Sequence, residues 1–332
     1  PSLQADMVVL AIGVTPDTVL AKEAGLELGI KESIVVNDRM ETSVPDIYAA
    51  GDAVQVKHYV TGNDALISLA GPANKQGRII ADNICGGDSR YLGSQGSSVI
   101  KVFDMTAATT GINETNAKKS GLEVDTVILS PMSHAGYYPG GKVMTMKVVF
   151  EKETYRLLGA QIIGYEGVDK RIDVLATAIH AGLKATQLKD LDLAYAPPYS
   201  SAKDPVNMAG FMIDNIAKGT LKQWHLEDMD KISKDKNAVL LDVRTVGEFS
   251  RGHINGFKNI PVDELRERIN EVEKGKPVYL ICQSGLRSYI ASRILEGNGY
   301  ETYNFSGGFR FYDAVANDHA LIERSYACGM DY

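Results

Sequence analysis

One stretch constrains the fold more than any other: Pro277-Val-Tyr-Leu-Ile281, then Cys282-Gln-Ser-Gly-Leu-Arg287, then Ser288-Tyr-Ile-Ala-Ser-Arg-Ile-Leu295. A short unbroken apolar run reads as a strand buried on both faces, and the apolar spacing after it is that of a helix. Ala238-Val-Leu-Leu-Asp242 is a second such run, separated from the first by helical segments. Strands alternating with helices predict a small parallel sheet. The strand-loop-helix turn places Cys282 over successive backbone N–H groups at a helix N-terminus, and both stabilise an anion. The expectation is a lowered thiol pKa and a thiolate able to attack sulfur. Gly285 permits the curl of the loop, and Arg287 adds fixed positive charge toward a sulfur donor. The plainer alternative is an inert thiol at a strand end.

At 332 residues the chain is too long for one ordinary domain, and 44% hydrophobic with 23% charged residues is a globular balance. The first stretch alternates strand-like and turn-like segments: Met7 to Ile12 as an interior strand, Ser33 to Val36, and Asp46-Ile-Tyr-Ala-Ala-Gly-Asp52. Helical spacing follows from Asn63 to Cys85, with Pro72 tolerable near the first turn and Gly86-Gly87 as a stop. A Gly/Ser-rich segment near Gly86 to Gly96 reads as a linker. Next come strand patterns at Ser98 to Phe103, Val143 to Phe150 and Leu157 to Gly164, then a helix over Arg171 to Ala181. Strands grouped before helices indicate an α+β layer. Prolines break Tyr195 to Asn207 before a last helix to about Lys218, and Lys218 to Trp224 reads as a second linker. The reading is a multidomain α/β and α+β chain, divided 1–92, 97–219 and 225–332.

A formal charge of −7 argues against nucleic acid, which needs a basic face. No apolar stretch of about 18 residues could span a bilayer, and no signal peptide is apparent, so the chain reads as cytoplasmic. Cys85, Cys282 and Cys328 lie far apart without paired spacing, which speaks for free thiols and against a disulfide scaffold or metal site. Cys85, at a helix end beside two glycines, reads as structural. The start, Pro1-Ser-Leu-Gln-Ala-Asp6 running straight into an apolar strand pattern, reads as a fragment lacking an upstream part.

Leu241-Asp-Val-Arg-Thr-Val-Gly-Glu-Phe249, Gly252-His-Ile-Asn-Gly-Phe-Lys-Asn-Ile-Pro261, the Cys282 loop and Gly307-Gly308-Phe309 together resemble the rhodanese pattern. That resemblance implies Cys282 as carrier of persulfide sulfur and Gln283, Ser284, Gly285, Leu286 and Arg287 as its cradle. Asp242 and Arg244 are implied as supports, and a purely structural ion pair is an equal reading. His253 reads as bracing a turn. Thr42-Ser-Val-Pro-Asp-Ile-Tyr-Ala-Ala-Gly-Asp52 resembles the second FAD-binding motif of the pyridine nucleotide-disulfide oxidoreductases, where Gly51 lets a cofactor approach and Asp52 accepts a ribityl hydroxyl. Ser68-Leu-Ala-Gly-Pro-Ala-Asn-Lys-Gln-Gly-Arg78 resembles the helix that family points at the flavin, which makes Leu69 and Ala70 cofactor neighbours. No Gly-x-Gly-x-x-Gly and no flavin-proximal redox cysteine occur, so hydride transfer by this chain alone is doubtful.

Ser133-His-Ala-Gly-Tyr-Tyr-Pro-Gly-Gly141 and Tyr195-Ala-Pro-Pro-Tyr-Ser-Ser201 resemble the coenzyme A-disulfide reductase branch with a fused rhodanese, and no His-Pro-Thr of the glutathione-reductase type occurs. The resemblance implies a homodimer using FAD and NADH or NADPH to reduce a coenzyme A disulfide, persulfide or polysulfide. Tyr137 and Tyr195 would then serve the partner's active site, since a phenol can donate a proton to a thiolate leaving group. The same tyrosines also suit plain interface packing. Two other readings stay open: an oxygen-reducing NADH oxidase-like flavoprotein with an independent thiosulfate-type sulfurtransferase, and a flavin-free dimerisation and sulfur-relay platform. Small-molecule sulfur donors and coenzyme A thiols are the expected partners, with no nucleic acid or membrane.

Overall fold

In the computed structural model, residues 4–325 are described, with side chains to residue 316, so Cys328 lies outside the described residues. The chain divides into two units, Pro1–Ser98 and Val99–Tyr332.

The first unit carries helix α1 (Val19–Glu23) and strands β1 (Ile34–Val35), β2 (Val54–Lys57) and β3 (Asp64–Ala65), in the order β1-β2-β3. Met40, Val54 and Val56 form its buried centre. Helix α2 (Ala70–Ile84) begins seven residues later than the apolar spacing from Asn63 predicts, because Asp64 and Ala65 pair antiparallel with Lys57 and Val56. Pro72 does fall in the first turn, where its missing N–H has no partner to lose. Three other expectations are corrected. Met7 to Ile12 forms no strand, and its large side chains are 78–85% exposed. A strand needs backbone partners, and the three strands of this unit pair only among themselves. Asp46 to Ala50 makes one bridge, Glu41 to Tyr48, not a strand, because Asp46 sits at φ +63° and Gly51 at +83°. Cys85 is exposed at the end of α2 and has no packing role.

The second unit holds two sheets. Strands β4 (Ser98–Val102), β5 (Met105–Gly111), β6 (Val124–Leu129), β7 (Met144–Glu151) and β8 (Leu157–Gly164) order as β4-β5-β8-β7-β6, with helix α3 (Glu114–Lys119) between β5 and β6. Register places Thr110, Ala160, Val148 and Val127 in one cross-strand row and Ala108, Ile162, Met146 and Leu129 in the next. All eight are buried, and helices α4 (Val168–His180) and α5 (Pro205–Ala217) pack on the sheet. Each buried Val, Leu, Ile or Met side chain in these rows stabilises the layer by about 1.5–3 kcal/mol. Asp204 caps α5 by accepting from Val206 N, as the proline-broken approach to that helix requires. The edge strand differs: Val99, Ile100 and Val102 are more than half exposed.

Beyond Ala217 the chain builds β9 (Gln223–Trp224), α6 (Met229–Lys234), β10 (Val239–Asp242), α7 (Val246–Arg251), β11 (Lys258–Asn259), β12 (Val278–Ile281), α8 (Leu286–Glu296), β13 (Thr302–Phe305) and α9 (Gly308–Ser325). The sheet order is β11-β10-β12-β13-β9, and every pairing is parallel. Alternate residues of β12 feed two cores: Val278 and Leu280 join Leu241, Ala291 and Leu295, while Tyr279 and Ile281 join Trp224, Phe257 and Phe305. That double burial is why the run reads as continuously apolar. The linker expected over Lys218 to Trp224 is corrected, since Gln223 and Trp224 pair with Asn304 and Phe305 and Trp224 is buried. Residues on and beside this strand pair fasten the two sheets. Gln223 Nε2 donates to Thr126 O at 2.8 Å, His225 Nε2 meets Asp125 Oδ1 at 3.0 Å, and Ile128 N donates to Ser306 Oγ at 3.0 Å.

Candidate functional site

Cys282 follows β12 directly and turns its sulfur toward the start of α8. Its Sγ accepts from Gly285 N at 3.1 Å and from Ser288 Oγ at 3.1 Å. Gly285, at φ +99°, curls the loop so that its N–H points back at the sulfur. Gly285 O in turn accepts from Asn304 Nδ2 at 3.1 Å, which locks the turn to β13. Gln283 and Ser284 lie against the start of α9: Phe309 N donates to Cys282 O at 2.7 Å and Arg310 N to Gln283 O at 3.1 Å. A Cβ on Gly308 would come within 2.7 Å of Gln283 O and Ser284 N, so glycine is what lets the two segments close. Leu286 is exposed on the rim. The loop is thus a sulfur atom with two donors aimed at it, an arrangement that favours negative charge on that sulfur.

Arg287 behaves otherwise than as a free cation. Its Nη1 and Nη2 each donate to a Glu248 oxygen at 2.7 Å, bridging the first turns of α7 and α8. Arg287 holds the Glu248 carboxyl down to about 2, helped by backbone and side-chain donors of Thr245 against the opposing effect of burial. Asp242 and Arg244 form a buried pair, with Arg244 Nη2 2.7 Å from Asp242 Oδ2 and 2.8 Å from Gly252 O. The Arg244 guanidinium lies over the Phe309 ring, 3.8 Å from its centroid. Through Gly252 O the pair ties the end of β10 to the end of α7. His253 bonds Phe249 O through Nδ1 at 3.1 Å and stacks on the Phe249 ring.

A second cluster lies on the antiparallel sheet. The hydroxyls of Tyr137 and Tyr195 stand 2.8 Å apart, although 58 residues separate them. The hydrogen bond to Tyr137, with some desolvation, raises the pKa of Tyr195. Both loops are pinned by Arg171, a buried cation on α4. Its Nη2 donates to Ser133 O at 2.9 Å, Ser200 Oγ at 3.1 Å and Asp204 Oδ2 at 2.9 Å, and Ser200 Oγ donates to Asp204 Oδ2 at 2.6 Å. Ala135 N donates to Ser200 O at 2.9 Å, which joins one loop directly to the other. A cleft of about 450 Å³ opens beside them, lined by His134, Lys170, Arg171, Tyr195 and Tyr199 among others.

In the first unit, Gly51 and the start of α2 are neighbours. Gly51 N donates to Gln76 Oε1 at 2.7 Å, and a Cβ on Gly51 would sit 3.9 Å from Ala73 Cβ. Asp52 and Ala70 are exposed and Leu69 is half-buried at the N-cap position. The turn that carries the exposed Asp52 therefore lies beside the first turns of α2, an arrangement that suits a ligand carrying hydroxyls and a developing negative charge.

Ser288, Glu248, Asn304, Gly308 and Arg171 were not singled out from the sequence as site residues. For Glu248 a signal existed: Thr245-Val-Gly-Glu248 is a capping box, and both of its hydrogen bonds form. Arg171 stands on the apolar face of α4 with Ile172 and Leu175, where a lone cation must find a partner. The others depend on contacts between distant segments.

Residues 1–77 match the pyridine nucleotide-disulphide oxidoreductase family and residues 97–205 that family's dimerisation domain, together more than half of the chain. The chain belongs to the pyridine nucleotide-disulphide oxidoreductases. Residues 225–314 match the rhodanese-like domain, so this oxidoreductase chain also carries a rhodanese module. Reduced Bacillus anthracis CoADR-RHD superposes with a TM-score of 0.92 at 48% identity, covering 95% of this chain and 57% of that one. The NAD-dependent persulfide reductase from A. fulgidus gives a TM-score of 0.85 at 42% identity, over 93% of this chain and 56% of that one. The NAD(P)H sulfur oxidoreductase (CoA-dependent) of Pyrococcus abyssi is 39% identical over 203 residues, 61% of this chain and 45% of that protein. The chain spans about half the length of the curated relatives it matches. Among the described residues no helix is long and apolar enough to cross a membrane.

Proposed function

We propose that this oxidoreductase chain takes part in the NAD(P)H-dependent reduction of a coenzyme A persulfide, disulfide or polysulfide, with Cys282 receiving and passing on sulfane sulfur. The observation that carries the reading is the sulfur of Cys282 held by Gly285 N–H and the Ser288 hydroxyl at the start of α8. The Cys282 thiolate attacks the outer sulfur of a donor RS–SH. A new S–S bond forms on Cys282, the donor's S–S bond breaks, and RS⁻ leaves. An acceptor thiolate then takes the outer sulfur and returns the Cys282 thiolate. Gly285 and Ser288 steady the charge on sulfur at both stages, worth about 1.5–3 kcal/mol per hydrogen bond to a charged group.

Tyr137 and Tyr195 are assigned to a second step, in which a phenol donates its proton to a departing thiolate. Their 2.8 Å contact lets one hydroxyl orient the other. Gly51, Asp52, Leu69 and Ala70 are assigned to FAD. When bound, the flavin supplies acceptance of hydride from NADH or NADPH and delivery of electrons to a thiol centre. Asp52 would accept a hydroxyl of that cofactor, and the α2 N-terminus would steady negative charge. A homodimer built on the dimerisation domain, a cytoplasmic setting, and domain limits of 1–92, 97–219 and 225–332 belong to the same reading. The apolar, exposed edge strand β4 supports a partner surface.

Thiocyanate formation from an alkyl persulfide and cyanide tests the carrier role. Wild type should transfer sulfur and Cys282→Ser should lose it. Persistent transfer in the Ser variant would overturn the assignment. In the full-length protein, coenzyme A persulfide should drive NAD(P)H oxidation, and Tyr137→Phe with Tyr195→Phe should slow it at least tenfold.

A further inference from the structure

The charge at the mouth of the Cys282 loop is cancelled. Arg287 and Glu248 face each other through two 2.7 Å contacts, and Glu248 Oε2 also accepts from Thr245 N at 3.0 Å and Thr245 Oγ1 at 2.9 Å. The carboxylate cannot swing away without losing all four contacts, so the guanidinium stays matched. The neighbouring side chains on the same two first turns, Val246 and Leu286, are apolar and 61% and 66% exposed. A sulfur donor approaching between these two first turns meets a matched charge pair with an aliphatic border.

We infer that the loop selects sulfur donors with an aliphatic-tailed persulfide end, carrying at most one negative charge, over dianionic thiosulfate, and that Glu248 is the residue that sets this selection. The inference rests on the reading of Cys282 as a sulfur carrier. Thiosulfate attack releases sulfite: the Cys282 thiolate takes the outer sulfur, the S–S bond breaks, and both negative charges depart on SO₃²⁻. That dianion needs an uncompensated cation beside the loop, and the carboxylate opposite Arg287 removes it and adds repulsion. An alkyl persulfide RS–SH brings at most one negative charge to the rim, against two on thiosulfate, and its protonated form brings none. Its outer sulfur meets Gly285 N–H and the Ser288 hydroxyl, while its tail meets Val246 and Leu286. Glu248 is therefore a specificity residue that acts through Arg287.

The test measures kcat/KM for thiocyanate formation with thiosulfate and with 2-hydroxyethyl persulfide in wild type, Glu248→Gln, Val246→Lys and Cys282→Ser. Glu248→Gln keeps an acceptor for Thr245 while freeing the Arg287 charge. It should raise kcat/KM for thiosulfate about tenfold, as expected for one regained charge-assisted contact, and change the persulfide value by less than about twofold. Val246→Lys leaves the ion pair intact, adds a cation to the rim, and should shift the ratio in the same direction. Because the readout is a ratio, partial loss of folded protein does not move it. Equal changes with both donors, or a wild type that already prefers thiosulfate, would overturn the selection while leaving the carrier role standing. Activity surviving in Cys282→Ser would remove the carrier role and the inference with it.

Discussion

Replacing Arg171 by methionine tests whether a buried charge hub holds the tyrosine loops. Arg171 is 1% exposed and its guanidinium meets Asp204, Ser200 Oγ, Ser133 O and Gly167 O, all within 3.2 Å. Methionine fills most of the space but leaves the buried Asp204 carboxylate with no cation, held only by Ser200 Oγ and Val206 N, and removes the donor to Ser133 O. Removing one partner of a buried pair costs about 3–5 kcal/mol, because an uncompensated charge remains. Neutralising that charge should recover part of the loss. The double variant Arg171→Met with Asp204→Asn should therefore regain about 1–3 kcal/mol over the single one, as a coupled pair does. Urea unfolding followed by far-UV circular dichroism measures both. Trp224, the chain's single tryptophan, reports separately on the rhodanese sheet through its fluorescence. A single variant that loses less than about 1 kcal/mol, or a double variant no better than the single, would refute the hub as described.

Ser288→Ala removes one of the two donors on the Cys282 sulfur together with a 3.1 Å contact to Gly285 O, and should lower sulfur transfer about tenfold at a cost of about 1 kcal/mol in urea unfolding. Gly308→Ala places a Cβ against Gln283 O and Ser284 N at φ +69°, and should cost about 1–3 kcal/mol or more with loss of transfer, read by calorimetry and thiocyanate formation. The Glu248 carboxyl is held at about 2 against an ordinary 4.5, so its pairing adds stability above about pH 4.5 and loses it as pH falls toward 2. The contribution is modest because both partners are partly exposed. Glu248→Gln should therefore flatten the acid limb of stability between those values. Tyr137→Phe should bring the Tyr195 titration down toward 10, seen as tyrosinate absorbance at lower pH, and an unmoved curve would deny that the Tyr137 contact causes the shift.

The parallel sheet around Cys282 was legible because β10 and β12 are buried on both faces, which writes itself as unbroken apolar runs. The glycine curl and the helix after Cys282 were legible too, since both are local. So was the Thr245 to Glu248 capping box, had it been read. Strand pairing was not. Met7 to Ile12 carries a strand's composition without a partner, and Trp224 looked like linker until Phe305 gave it one. Periodicity records which face of a segment is apolar, whereas a strand exists only once another backbone takes its hydrogen bonds. The same divide runs through the sites. Sequence alone determined that Cys282 stands in a tight turn between a buried strand and a helix and that Arg287 carries charge beside it. Only the tertiary structure decided that Glu248, 39 residues earlier, cancels that charge, and that Tyr137 and Tyr195 meet at 2.8 Å over a buried arginine. Charge and hydroxyl contacts act over a few ångströms of space, and chain distance has no bearing on which groups come within that range.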